Sequence, residues 1–182
     1  GLRFVKDFVA HDAARAEIAA VLSVQDDAVL NELCAAFALL TQAKNLGSLM
    51  KFDLSDRTRG ILAVKVGEIV DSGEWLVVSG ELTTKYLPSF RLILALTDKY
   101  AAFAMNPPYM GSGNMNRELG DYVKRTYPKS KADLFAVFME VARARCAAGG
   151  RIGMITMQSW MFLSSFEELR KHLLETCTIR SM

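Results

Sequence analysis

The stretch Tyr-Ala-Ala-Phe-Ala-Met-Asn-Pro-Pro-Tyr, residues 100–109, decides the fold class of this 182-residue chain. Its first six residues are almost all apolar, and such a short run is typical of a strand buried inside a parallel sheet. The run ends abruptly at Asn106-Pro107-Pro108, because proline has no N–H to donate to a sheet. We therefore predict a buried parallel strand over residues 100–105, followed by a loop at its carboxyl end.

The segments after this strand alternate between helix and strand patterns. A polar loop leads to an amphipathic helix predicted over residues 132–148, which Gly149-Gly150 ends, and residues 151–157 are predicted to form the next strand. The last helix is predicted to begin at Ser164 or Ser165, each followed three residues later by a glutamate in a capping box. This series predicts parallel strands joined by a right-handed crossover, with ligands bound beyond the carboxyl ends of the strands.

The segments before the strand have mainly helical patterns. Helices are predicted over residues 12–22 and 26–44, with a stop at Asn45-Leu46-Gly47 and either a short strand or an extended exit over 48–52. Residues 53–99 are predicted to form a helical insertion with helices near 59–70 and 87–96, although residues 75–78 also have strand propensity. The predicted architecture is thus a single α/β domain over residues 1–182 that contains this insertion.

Composition excludes several classes of protein. The net charge is only +2, so any contact with nucleic acid is expected to be a local basic patch and not a bulk charge effect. Three widely separated cysteines and two histidines form neither a disulfide framework nor a metal-ligand spacing, and no segment has the pattern of a membrane span or signal peptide. We expect a cytoplasmic protein without a metal.

The residues Asn106, Pro107, Pro108 and Tyr109 are suited to chemistry on an aromatic amine. Such an amine is a poor nucleophile, and two acceptors on its hydrogens would direct its lone pair toward an incoming methyl group. The Asn106 side-chain oxygen and the Pro107 carbonyl are candidate acceptors, neither proline has an N–H to repel the amine, and Tyr109 offers a face on which a base can stack. The structural alternative is a rigid turn after a strand.

Basic and aromatic side chains near this loop are further candidates. The basic ones could contact phosphates, or they could simply cover a solvated face: Arg117, Lys124, Arg125, Lys129 and Lys131. Trp160 and Phe162 follow the second predicted strand and could form a second wall for a flipped base. For aromatic residues in that position, packing in the core is the favoured interpretation.

Three segments carry a resemblance to a known family: residues 106–113, 130–138 and 151–163. Together they resemble amino-methyltransferases, and most closely the adenine-specific DNA methyltransferases of bacterial BREX phage-exclusion systems, the PglX type. The resemblance implies a Rossmann-like fold, S-adenosylmethionine as cofactor, double-stranded DNA as substrate and other defence-system subunits as possible partners. It further implies that Asn106, Pro107 and Tyr109 bind the target adenine, that Asp133 and Phe135 line the cofactor side, and that Ser48 takes the place of an acidic residue beside the cofactor.

The chain departs from this family in one respect. A glycine-rich loop that cradles the cofactor should precede these motifs, and Gly111-Ser112-Gly113 follows the catalytic loop instead. We therefore expect an internal fragment of a partial methyltransferase domain. Two alternatives stay open: a non-catalytic fragment that binds DNA or a partner subunit, and an amino-methyltransferase acting on protein glutamine or ribosomal RNA.

Overall fold

The computed structural model describes residues 11–71 and 81–181. The chain divides into two compact units, residues 1–98 and residues 99–182. The first is helical and the second combines helices with a small parallel sheet, and each is described below by itself.

The helical unit contains five α-helices in its described part: α1 (His11–Leu22), α2 (Asp27–Leu40), α3 (Ala43–Leu46), α4 (Asp56–Asp71) and α5 (Glu81–Thr97). The Asp26 carboxylate accepts the Ala28 and Val29 N–H groups, at 3.0 and 3.2 Å, and so caps α2. The bond from Val29 is the main cause of the lowered pKa of Asp26. The apolar faces meet in a core in which Phe37 packs edge-on against Tyr86 and Phe90.

The prediction of helices before the strand is confirmed, with differences at their ends. The second predicted helix ends at Leu40, because the Thr41 N–H and hydroxyl both turn back to the Ala38 carbonyl. Gly47, with a φ of +52°, follows α3, and Gly47–Leu49 is a 3-10 turn. Of the predicted segment 48–52, residues 48 and 49 lie in this turn and residues 50–52 form no strand, so the short strand is wrong and an extended exit can apply only to residues 50–52. Residues 75–78, for which a strand was an alternative, lie outside the described residues.

The second unit contains β1 (Tyr100–Met105), α6 (Arg117–Thr126), α7 (Leu134–Arg145), β2 (Cys146–Met154) and α8 (Glu167–Thr176). The strands β1 and β2 are parallel, as predicted, and Phe103 pairs with Ile152 and Met105 with Met154. Helix α7 connects them, because parallel strands need a crossover. Its buried face packs with the turn before α8 and with α8 itself around Phe135, Ala136, Trp160, Phe166, Leu169 and Leu173.

The prediction that residues 100–105 form a buried strand is right about the strand and wrong about its burial. Tyr100 is 37% exposed, and the other residues of β1 are exposed or half-buried. The physical reason is that the described sheet has only two strands, so β1 and β2 are both edge strands and are less enclosed than strands inside a larger parallel sheet.

Three boundaries in this unit also differ from the prediction. Helix α7 ends at Arg145 and β2 begins at once, so Gly149 and Gly150 lie within the strand, beside a register shift in its pairing with β1. The predicted polar loop contains α6, which Asn116 caps by accepting the Leu119 N–H at 2.9 Å. Helix α8 begins at Glu167 without a side-chain cap, because residues 164–166 form a 3-10 turn where the capping box was predicted.

The boundary between the units falls at Asp98, close to the predicted end of the helical insertion at residue 99. Helices α4 and α5 pack with α1 and α2 in one helical unit. That residues 53–99 interrupt a single methyltransferase domain stays a prediction. Over the described ranges, no helix has the length and apolar character needed to cross a membrane.

Candidate active site at the carboxyl edge of the sheet

The loop that follows β1 lies at the carboxyl edge of the sheet. Met105 pairs with Met154, and the Ile155 N–H donates to the Met105 carbonyl at 3.2 Å, so the residues that follow the two strands are neighbours. Asn106 therefore leaves the sheet directly beside Ile155. This edge is where parallel α/β folds place their ligand sites.

The loop residues differ in exposure in a way that suits a binding site. Pro107 is buried, whereas Asn106 and Pro108 are exposed and Tyr109 is 47% exposed. The Tyr109 hydroxyl lies 3.1 Å from the Asn106 side-chain oxygen and 3.0 Å from the Ile155 carbonyl oxygen. The buried proline anchors the loop, and the amide and the phenol stand together at the surface.

A series of three aromatic rings connects the loop to the core of the second unit. The Tyr109 and Phe135 ring centroids are 6.1 Å apart, and those of Phe135 and Phe166 are 5.6 Å apart. Phe135 is 1% exposed and belongs to the core. Phe135 and Phe166, at one end of the series, are thus packed in the core, and part of the Tyr109 ring, at the other end, is exposed to solvent.

Asp133 ties this loop to α7. Its Oδ1 accepts the Met110 N–H at 3.0 Å and the Phe135 N–H at 3.2 Å, so it caps α7 and holds the loop at once. Two backbone bonds reinforce the contact, from the Leu134 N–H to the Met110 carbonyl at 3.0 Å and from the Ser112 N–H to the Ala132 carbonyl at 2.9 Å. Sequence reasoning missed this role, although an aspartate directly before an apolar helix is a capping signal.

Two of the three residues predicted to line the cofactor side are already engaged within the second unit. The Asp133 Oδ1 already accepts two backbone N–H groups, and Phe135 is in the core. Ser48 is exposed and belongs to the helical unit. Their cofactor roles stay predictions. No three His, Cys, Asp or Glu side chains of the described part lie together as a metal site would require.

The predicted basic residues all lie exposed on α6 and on the turn after it. Helix α6 packs through its buried residues Leu119, Tyr122 and Val123, so its charged side is left at the surface. The Arg125 guanidinium lies 5.7 Å from the centre of the Tyr122 ring, and Lys129 lies 3.5 Å from His172. Arg117 lies 3.8 Å from Asp121. The other two of these exposed basic residues are Lys124 and Lys131.

Of the two aromatic candidates after β2, one is buried and one is open. Trp160 is 7% exposed in the core cluster, so core packing is the correct interpretation and no base can stack on it without repacking. Phe162 is 76% exposed. The turn that carries both is held by Arg170, which donates to the Trp160 and Leu163 carbonyls at 2.7 and 2.6 Å.

A separate cleft of about 1100 Å³ is lined by β2, the end of α8 and residues 177–181. Cys146, Ile152, Cys177 and Arg180 are among its lining residues. None of residues 106–109 lines it. Ile155, whose carbonyl oxygen lies 3.0 Å from the Tyr109 hydroxyl, is also one of the lining residues, so the cleft reaches the carboxyl edge of the sheet beside the candidate active site.

The parallel pair, its crossover helix and the polar loop at the strand ends define an α/β unit of the class that binds ligands at a sheet edge. Residues 67–182 match the family model described as Eco57I restriction-modification methylase, and the chain belongs to that family. It is also 37% identical over 166 residues to the adenine-specific methyltransferase BrxX of Escherichia coli O9:H4 (strain HS), an alignment covering 88% of this chain and 13% of the relative. The adenine-specific methyltransferase PglX of Lacticaseibacillus casei (strain Zhang) is 38% identical over 142 residues, covering 71% of this chain and 11% of the relative.

These comparisons confirm the resemblance to the adenine-specific methyltransferases of the PglX type. The chain spans only about one eighth of the length of the curated relatives that it matches.

Proposed function

We propose that this chain carries the base-binding loop of a site-specific DNA adenine-N6 methyltransferase that acts in phage defence or restriction-modification. The methyl donor in this proposal is S-adenosylmethionine, and the acceptor is the amino group of an adenine flipped out of double-stranded DNA. The observation that carries the proposal is the exposed amide of Asn106 beside the half-open ring of Tyr109 at the carboxyl edge of the sheet.

The first role of the loop is to make the adenine amine reactive. The amine has two hydrogens, and the carboxamide oxygen of Asn106 and the carbonyl oxygen of Pro107 are the two acceptors that the loop offers. Bonds to both hydrogens would localise the nitrogen lone pair toward the donor methyl group. The buried Pro107 ring holds its own carbonyl in place, so little reorganisation is needed when the base arrives.

The second role is to hold the extruded base. Unstacking a base costs a few kcal/mol, and stacking on an aromatic ring returns about 1–3 kcal/mol. Tyr109 supplies one such ring. Phe162 is the accessible aromatic on the turn after β2, and we assign it, and not Trp160, as the candidate second wall.

The exposed basic side chains of α6 and of the turn after it are proposed to contact DNA phosphates. If they do, the affinity for DNA should decrease with salt concentration. The slope of log affinity against log salt concentration should become shallower by about one unit for each phosphate contact that is removed. Because these contacts position the duplex and do not read its sequence, the recognition site must be read by other residues.

The proposed fold of the whole domain is Rossmann-like, and residues outside the second unit must supply most of the cofactor site. The three predicted cofactor residues do not by themselves form a cradle, because Asp133 and Phe135 are engaged in holding the loop and the core. The exposed Ser48 hydroxyl is a candidate for one hydrogen bond. A cytoplasmic location and other defence-system subunits as partners remain part of the proposal.

The test is Asn106→Ala in the complete polypeptide that contains this chain. Transfer of labelled methyl groups to DNA is expected to be abolished while the circular dichroism spectrum is unchanged. The matched control is Asn114→Ala, which removes an exposed carboxamide from the same region and is expected to keep normal turnover. Wild-type turnover in Asn106→Ala would refute the proposed mechanism.

Calorimetry with S-adenosylmethionine separates the alternatives. A measurable heat of binding would support an enzyme. The absence of any heat of binding at millimolar cofactor would support a non-catalytic fragment that binds DNA or a subunit. Labelled methyl groups appearing in protein glutamine or ribosomal RNA, and not in DNA, would favour the other amino-methyltransferase reactions.

A further inference from the structure

The Tyr109 hydroxyl has two oxygen neighbours but only one proton. It lies 3.0 Å from the Ile155 carbonyl oxygen and 3.1 Å from the atom placed as Oδ1 of Asn106. Both oxygens are acceptors, so the single proton can satisfy only one of these two contacts fully. The other oxygen would be left facing the lone pairs of the hydroxyl oxygen.

One rearrangement satisfies both contacts without moving any heavy-atom position. The Ile155 carbonyl can only accept, so it takes the hydroxyl proton. The oxygen and nitrogen of a carboxamide exchange places when the side chain turns by about 180° about its last torsion. Asn106 then donates through Nδ2 to a lone pair of the Tyr109 oxygen, and its Oδ1 lies on the other branch of the amide, away from the ring.

We infer that Tyr109 is a positioning residue for Asn106: its hydroxyl, anchored on the Ile155 carbonyl, orients the carboxamide so that the oxygen faces the target amine. This inference rests on the proposed function. The opposite orientation would present the amide N–H groups to the amine N–H groups, and two donors cannot bond to each other. One side chain thus stacks the base with its face and orients the acceptor with its hydroxyl.

The anchor of the hydroxyl is hydrogen-bonded to the end of the sheet, which restrains it. Ile155 follows β2 directly, and its N–H donates to the Met105 carbonyl at 3.2 Å. Met105 is the last residue of β1 and directly precedes Asn106. The bonds from Met105 to Ile155, from Ile155 to Tyr109 and from Tyr109 to Asn106 close a ring, which fixes the carboxamide relative to the backbone that carries it.

The first test is Tyr109→Phe in the complete polypeptide, because phenylalanine keeps the stacking ring and removes only the hydroxyl. We expect the rate of methyl transfer in a single turnover to fall about five- to tenfold, as expected when one neutral hydrogen bond that orients the Asn106 acceptor is lost. The DNA dissociation constant and the fluorescence of 2-aminopurine at the target position should change less than about twofold, since base extrusion and stacking persist. The control Tyr100→Phe removes a hydroxyl at the opposite end of β1 and should leave the rate unchanged.

The second test is the same change in an Asn106→Asp background. A carboxylate has two equivalent acceptor oxygens, so it offers an acceptor in either orientation and needs no orienting partner. Tyr109→Phe should therefore slow the Asn106→Asp enzyme less than about twofold. This rescue separates a positioning role from a general packing role, which would act in both backgrounds.

The inference is overturned if Tyr109→Phe keeps the wild-type rate, if its loss is matched by a loss of DNA binding or of 2-aminopurine fluorescence, or if the same loss persists beside Asn106→Asp. If Asn106→Asp itself turns over too slowly to follow, the rate and binding data for Tyr109→Phe decide. Failure of the proposed function is distinguishable, because the wild-type protein would then transfer no methyl group to DNA, which would overturn both proposals.

Discussion

Replacement of Asp133 is expected to loosen the loop that carries Asn106 and Tyr109. The Asp133 Oδ1 accepts the Met110 and Phe135 N–H groups, and Asp133→Ala removes both bonds together. A hydrogen bond to a charged group contributes about 1.5–3 kcal/mol to stability. Because Asp133 is only half-buried, we expect a contribution just below this range, about 1.4 kcal/mol, from its bond to the Met110 N–H. That free energy corresponds to roughly tenfold faster opening of the loop.

The assay is hydrogen exchange followed by mass spectrometry on the peptide that covers residues 106–113. Asp133→Ala should raise the exchange rate of the Met110 amide about tenfold, and Asp133→Asn, which keeps a neutral acceptor, should raise it less. Asn116→Ala is the matched control, because it removes the cap of a different helix, α6, where the Asn116 side chain accepts the Leu119 N–H. It should lower helix stability by about 1 kcal/mol and leave the peptide unchanged.

The result that would refute this reasoning is unchanged exchange of the loop peptide in Asp133→Ala. If, in addition, Asp133→Asn weakened the binding of S-adenosylmethionine, the sequence prediction of a cofactor contact would be the better account of this residue. Faster exchange with unchanged cofactor affinity would support the role in holding the loop.

Further variants also have expected outcomes. Gly150→Ala should destabilise the protein by about 1–3 kcal/mol in denaturant titrations, because a Cβ there would lie 2.9 and 3.0 Å from two backbone oxygens. Gly153→Ala should be tolerated, because the nearest backbone oxygen to a Cβ at that position is 4.0 Å away. Trp160→Ala should cost about 3–5 kcal/mol in the same titrations. Phe162→Ala should change stability by less than about 0.5 kcal/mol and should weaken 2-aminopurine extrusion instead. The N–H groups that Asp26 accepts at the start of α2 lower the pKa of its carboxyl. The contribution of the Asp26 carboxylate to folding stability is therefore fully present above the usual pKa of an aspartate, and it is lost as the pH falls through the lower pKa of the folded state. Melting temperatures measured from pH 6 to pH 2 should accordingly fall less in Asp26→Asn than in the wild type.

The sequence was sufficient to predict β1, α7, β2 and α8 in their order around the candidate site, although it missed α6. The apolar run of residues 100–105 and the prolines after Asn106 mark both ends of β1, because strand propensity and the missing proline N–H act within a few residues. The same local signals predicted α7, α8 and a parallel second strand. They also placed Asn106 to Tyr109 at the carboxyl edge of the sheet, since the direction of parallel strands determines which ends meet.

Other features depended on contacts between residues far apart in the chain. The early start of β2 reflects pairing with β1 across a register shift, which no local pattern around Gly149 and Gly150 contains. The burial of Trp160 beside an exposed Phe162 follows from the packing of the turn against α7 and α8. Sequence spacing treats both aromatics alike, because exposure is a property of the neighbours and not of the residue.

The identity of the residues at the candidate site is therefore a property of the sequence, and their arrangement is a property of the tertiary structure. Residue types and spacing were enough to select an amide, two prolines and a phenol as a candidate base-binding loop. Only the folded chain brings Ile155 within 3.0 Å of the Tyr109 hydroxyl and Asp133 within 3.0 Å of the Met110 amide. The physical reason is that a hydrogen bond between groups 23 or 46 positions apart exists only after the intervening chain has folded back and brought the two groups together.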